Sequence, residues 1–337
     1  MPVVLNRRFT TAPMMDWSDR HCRYFWRQIT DHAVLYTEMV TTGALIHGSD
    51  PHRFLDFNTE EQPVALQLGG HEPADLAQCA MMAQTWGYNE VNLNVGCPSD
   101  RVQNGMIGAV LMGHADLVRD GVKAMLDTVD IPVTVKHRIG IDDLDSYEFL
   151  RDFVGTVSES GCQTFIVHAR KAILSGLSPK QNREVPPLDY ARVYQLKRDF
   201  PDLEILINGG LKTLDDCAAQ LEHLDGVMVG REAWHNPMLL AQVDGRFYGS
   251  HTAPRSATEV AERMLPYLEA QLTSGQRLNH VIKPLFNLFH ECTGARQYRR
   301  YLSEHAHVKG AGIEVFLAAL DKVSPNLEAV ESVCHES

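Results

Sequence analysis

The 337-residue chain is expected to fold as an α/β protein, a (β/α)8 TIM barrel with a C-terminal helical bundle, on three observations. Short apolar runs alternate with amphipathic stretches eight times between residues 10 and 229. No G-x-G-x-x-G turn follows the first run, which argues against a doubly wound dinucleotide fold. Each expected strand ends in polar or glycine residues, and barrel ligands gather at the C-terminal mouth.

Taken in order, the strands are expected at 10–14, 34–39, 64–68, 90–95, 133–139, 164–168, 204–207 and 226–229. Helical periodicity fills 73–86, 116–128, 146–160, 190–200 and 214–223. After Pro237 the alternation fades, and YGSHTAPRSA at 248–257 reads as a linker. Four helical segments follow: VAERMLPYLEAQL, HVIKPLFNLFHE, ARQYRRYLSEHAH and GIEVFLAALDKV. The expected domains are a barrel at 1–247, a helical domain at 257–324 and a frayed tail at 325–337.

Composition sets bounds. The seven cysteines are scattered and form no C-x-x-C pair, which argues against a disulfide framework and a structural zinc; no metal site is expected. No apolar run reaches the ~20 residues of a membrane span. Asn6, Arg7 and Arg8 interrupt any signal-peptide core, so the expected location is cytoplasmic. The net charge of −12 disfavours broad nucleic-acid binding without excluding a local basic patch. Residues 251–310 supply one, with eight basic and five acidic residues, Arg296, Arg299 and Arg300 falling at helical spacing.

The stretch EVNLNVGCPSDRVQNGMIGAVLMG, 90–113, is the chemical centre. Its alternation aims Asn92 and Asn94 to one side and then delivers Cys97 on a turn. On the next strand Lys136 and Arg138 share a face, leaving His137 toward the helices; His168 pairs with Arg170 in the same way. Asn208, Gly209 and Gly210 after the seventh strand, and Gly230 and Arg231 after the eighth, suit a phosphate. Gln67, Asn94, Lys136 and His168 surround a space fit for flavin mononucleotide (FMN), with Lys136 beside the ring's N1/O2 edge. Hydride would leave N5, and Cys97 would act as the acid across the substrate. A thiol of ordinary pKa, about 8.5, is protonated near neutrality, as a proton donor must be.

These motifs resemble the bacterial tRNA-dihydrouridine synthases. The matching pieces are APMMDWSDRHCR, LYTEM, PVALQLGG, NLNVGCPSDRVQNG, VTVKHRIG, FIVHARKAILSGLSPKQNREVPPLDY, INGG and DGVMVGREAWHNP, and the likeness covers 8–310. SGLSPKQNREVPPLDY looks like the subgroup acting on uridines 20 and 20a of the tRNA D-loop. The resemblance implies FMN contacts from Met14, Met15, Asp16, Gln67, Lys136, His168, Asn208, Gly209, Gly210, Gly230 and Arg231. It implies that Cys97 protonates uracil C5 while hydride reaches C6, and that Asn94 holds the flipped base. Lys180, Arg183, Arg296 and Arg299 match positions that grip tRNA, making 257–324 a tRNA-binding domain, and NADPH is the expected transient reductant. A monomer without membrane or protein partners is expected. Ile107, Val110 and His137 depart from the residues usual in relatives, and local repacking is expected at the first two.

Three rivals stand beside this reading. They are an FMN barrel reducing a free pyrimidine or another small enone, a Schiff-base aldolase using Lys136, and a noncatalytic RNA-binding module.

Overall fold

The structure is a computed structural model describing residues 5–99 and 105–323, so the expected tail, with Cys334, lies outside the described residues. Eight strands are present: β1 (Phe9–Thr11), β2 (Leu35–Thr41), β3 (Val64–Gly69), β4 (Glu90–Val95), β5 (Val133–Arg138), β6 (Thr164–His168), β7 (Glu204–Asn208) and β8 (Gly226–Val229). All pair in parallel in the order β1-β8-β7-β6-β5-β4-β3-β2. A parallel bridge from Thr10 to Val34 closes the ring. The strands are buried on both faces, which is why they read as nearly unbroken apolar runs. Tyr36, Ala65, Ile166, Leu206 and Met228 cluster inside the cylinder.

The first strand departs from expectation: it ends at Thr11, not 14. Pro13 has no N–H for a ladder, and Met14 turns instead onto Ser18, its N–H 2.9 Å from Oγ. The helix Pro73–Trp86 starts on its proline and stops at Gly87, whose φ of 92° is the left-handed cap. Ser146 caps Tyr147–Ser158, and Thr213 with Asp216 forms a capping box on Leu214–Leu221.

The chain forms two compact units, Met1–Arg20 with Ala33–Gly230, and His21–His32 with Arg231–Ser337. The barrel boundary expected at 247 therefore falls at Gly230, and the helix after β1 belongs mostly to the second unit. Its side chains give the reason. Buried Trp26 donates its indole N–H to the Ala233 carbonyl at 2.9 Å. Asp244 accepts from the Thr30 hydroxyl and the Asp31 N–H, and Arg255 pairs with Asp31 at 2.8 Å.

The second unit also holds Ala257–Thr273, capped by Ser256 and Glu259, and Ala295–His305. The helix expected over 280–291 is instead Leu278–Val281 followed by a 3-10 turn at Lys283–Asn287, because Pro284 cannot continue the ladder. Among the described residues, no helix is long and apolar enough to cross a membrane.

Candidate active site

β4 carries its amides inward, as its alternation requires. Asn94 Nδ2 donates to Gln67 Oε1, and Gln67 Nε2 donates to Asn92 Oδ1, both at 2.8 Å. Asn94 Oδ1 turns the other way and accepts the backbone N–H groups of Gly96 (3.1 Å) and Cys97 (2.9 Å). The turn bearing the thiol is thus fastened to the last inward side chain of the strand. Cys97 is partly exposed.

A second grip comes from β5. Arg138, 3% exposed, donates to the carbonyls of Gly96 (3.1 Å), Lys171 (3.2 Å) and Asn182 (2.9 Å). It ties the Cys97 turn to the loop after β6. Burial lowers its pKa to about 10, which leaves it charged at neutral pH. Strand alternation places Arg138 on the Lys136 face, and no role is expected for it from the sequence. Its inward alternation was the available signal; its carbonyl partners were not visible.

Lys136 lies beside Asn94 in the β4–β5 register and donates to Asn208 Oδ1 at 3.1 Å. Burial, then the neighbouring charge of Arg138, lowers its pKa to about 7, with Cys97 acting in the opposite direction. His168 is driven well below the ordinary histidine range by burial and then by Arg138, Lys136, Arg170 and Arg183, so its imidazole is neutral. His137 faces away from the site, as alternation implies, packing against Phe153 and Phe165 with ring centroids at 5.2 and 5.9 Å.

After β7 the backbone takes two left-handed steps, φ 108° at Gly209 and 77° at Gly210. A Cβ on Gly209 would stand 2.5 Å from His168 Cδ2, and one on Gly210 would stand 2.4 Å from Leu188 Cδ1. Side-chain-free backbone therefore runs beside the imidazole, next to Asn208. Gly230 follows the eighth strand, where a Cβ would stand 3.4 Å from Ala12 Cβ and 3.7 Å from Met14 Sδ, and Arg231 opens the helix Arg231–His235 of the second unit.

The loop Met14–Asp16 leaves Met15 57% exposed and puts Asp16 at φ 64°, its N–H donating to Glu38. Lys180 and Arg183 are exposed and flank buried Asn182, whose side-chain oxygen accepts the Ile173 N–H at 2.7 Å and steadies their loop. Arg296 is exposed and Arg299 half-buried on Ala295–His305; Arg300 is paired with Glu304 at 2.8 Å. Ile107 packs against Gly69. In the barrel unit the geometry brings together Gln67, Asn94, Cys97, Lys136, His168 and Asn208–Gly210. A proton donor, a cation, a neutral imidazole and ordered amides can bind a polar ring and protonate a partner beside it.

A family model described as dihydrouridine synthase matches residues 10–324. The chain is 62% identical over 323 residues to the tRNA-dihydrouridine(20/20a) synthase of Pasteurella multocida (strain Pm70), covering 96% of this chain and 98% of that one. It is 61% identical over 318 residues to the protein of the same name from Escherichia coli (strain K12), covering 94% and 92%. Among solved structures, the old yellow enzyme homologue from Zymomonas mobilis is similar with a TM-score of 0.52 at 12% identity, covering 75% of this chain and 91% of that one. A 2-naphthoyl-CoA reductase complex gives 0.52 at 11%, covering 72% and 51%. These two likenesses concern the fold alone.

Proposed function

The chain belongs to the dihydrouridine synthase family, and from that premise we propose that it reduces the C5–C6 double bond of uridine 20 or 20a in the tRNA D-loop. The residues fit FMN. Lys136 is a cation whose proton affinity is lowered by burial and then by Arg138, a cost that an anionic ring edge would offset. Gly209 and Gly210 offer backbone that a Cβ would obstruct. Gln67, Lys136, His168, Asn208, Gly209 and Gly210 would hold the flavin together with Met14, Met15, Asp16, Gly230 and Arg231. Bound and reduced by NADPH, that group supplies the hydride for C6.

The chain's own residues do the rest. Cys97 gives its thiol proton to C5, and the resulting thiolate takes a replacement proton from solvent. Asn94 orients the flipped base. Lys180, Arg183, Arg296 and Arg299 grip the tRNA backbone, offsetting the few kcal/mol that flipping costs. The protein works as a cytoplasmic monomer without a membrane partner.

The observation supporting this reading most is the pinned turn. One amide oxygen, that of Asn94, holds the N–H groups of Gly96 and Cys97 beside Lys136. Replacing Cys97 by Ala is expected to leave tRNA affinity within about twofold and to cut dihydrouridine formation about 100-fold or more. Mass mapping of the D-loop reads both the loss and the position modified. Turnover at the parent rate would remove Cys97 from the chemistry.

A further inference from the structure

A chain of side chains runs from the Cys97 turn into the barrel, and all its hydrogen bonds point one way. Thr134 Oγ1 donates its only proton to Glu90 Oε1 at 2.6 Å. It must then accept from Asn92, whose Nδ2 lies 2.8 Å away. Asn92 therefore turns its oxygen to Gln67 Nε2, and Gln67 turns its own oxygen to Asn94 Nδ2. Asn94 is left with its oxygen facing Gly96 and Cys97. Flipping any one amide would set NH2 against NH2 or oxygen against oxygen in a dry interior.

Both ends set the direction: the backbone N–H groups of Gly96 and Cys97 can only donate, and at the far end Glu90 only accepts. Glu90 is fully buried and receives three donors: Arg7 Nε at 2.6 Å, the Tyr36 hydroxyl at 2.5 Å, and Thr134. Burial, then Glu90 itself, raises the Tyr36 pKa, so the phenol stays a donor. Arg7 is also paired with Glu204 at 2.8 Å. A carboxylate so surrounded accepts only.

We infer that Glu90, Thr134 and Asn92 are positioning residues that, from inside the barrel, hold the Asn94 amide in the orientation the Gly96 and Cys97 N–H groups require. Two consequences follow. The Cys97 turn keeps its acceptor, so the thiol keeps its place. Asn94 has both oxygen lone pairs engaged, so what remains for a ligand is its second Nδ2 hydrogen. A donor fits a base carbonyl, as uracil carries at C4, and opposes an exocyclic amine, as cytosine carries there. This second consequence rests on the proposed uridine substrate; the first does not.

The test uses the full-length protein with Thr134→Val, Thr134→Ser and Tyr36→Phe. Valine keeps the shape of threonine but neither donates nor accepts, leaving Asn92 Nδ2 without its acceptor and the Asn92–Gln67–Asn94 chain without its inner anchor. Iodoacetamide labelling is followed at Cys97 by peptide mass, with exposed Cys292 as internal reference. Thr134→Val is expected to change the Cys97 rate relative to Cys292 at least about threefold and to lower kcat about tenfold or more with KM moving less. Thr134→Ser is expected to restore both to within about twofold, since its hydroxyl can make the same two bonds. Tyr36→Phe removes a donor to Glu90 outside the chain, so it is expected to lower Tm without altering Cys97 labelling. Should Thr134→Val not fold, Thr134→Ala carries the same expectation.

The inference is overturned if Thr134→Val changes only Tm, or if Tyr36→Phe shifts Cys97 labelling equally. If labelling follows expectation while the parent protein reduces no tRNA, the positioning stands and the uridine reading fails.

Discussion

Lys136 shows how one residue can carry opposite duties. In the folded protein its pKa falls from 10.5 to about 7, chiefly through burial and secondly through Arg138. The unfolded chain keeps its proton up to the ordinary value. Between about 7 and 10.5 the unfolded state therefore binds more protons, and stability rises with pH; below about 7 the penalty is complete. Lys136→Met is accordingly expected to raise the Tm of the flavin-free protein at pH 6. The gain should shrink as pH climbs toward 10, and the same variant should fail to retain flavin. Thermal melts across that range check it; a gap that widened with pH would contradict the assignment. The inward position of Lys136 was legible from β5 alternation. How far it is desolvated was not, because that depends on which groups other strands bring beside it.

At the scale of elements, strands set the register and their ends set the chemistry. Asn94 faces Lys136, and Arg138 faces His168, because β4, β5 and β6 pair in one fixed register. A slip of one residue would turn these groups toward the helices. The Asn208–Gly210 segment shows how little room its turn allows. Gly209→Ala would need a β-carbon at φ 108° and 2.5 Å from the His168 ring. Strain of roughly 1–3 kcal/mol predicts FMN affinity lower by about tenfold or more. Flavin absorbance per mole of purified protein measures it, and full occupancy would count against this segment as part of the cradle. The sequence located six of the eight strands almost to the residue and placed the helix Pro73–Trp86 at its true ends. It failed where proline decided locally: β1 stops before Pro13, and the helix expected through Pro284 splits.

For the whole molecule, a net charge of −12 sits beside a positively biased C-terminal helical region. An acidic protein that holds a polyanion must do so through a few placed cations. Replacing Arg296 and Arg299 together by Ala is expected to weaken tRNA binding and flatten its salt dependence by about one unit of slope per arginine, with the flavin content unchanged. Filter binding across a salt series tests this; an unaltered slope would move the contact elsewhere. The sequence by itself determined the alternation of elements, the family motifs and the face of each strand, because these follow from local periodicity and residue type. Only the tertiary structure decided that the helix after β1 joins the C-terminal unit, that Arg138 clasps the Gly96 carbonyl, and that Glu90 anchors the amides behind Cys97. Those contacts join residues far apart along the chain, and a hydrogen bond's direction is settled by partners that periodicity does not register.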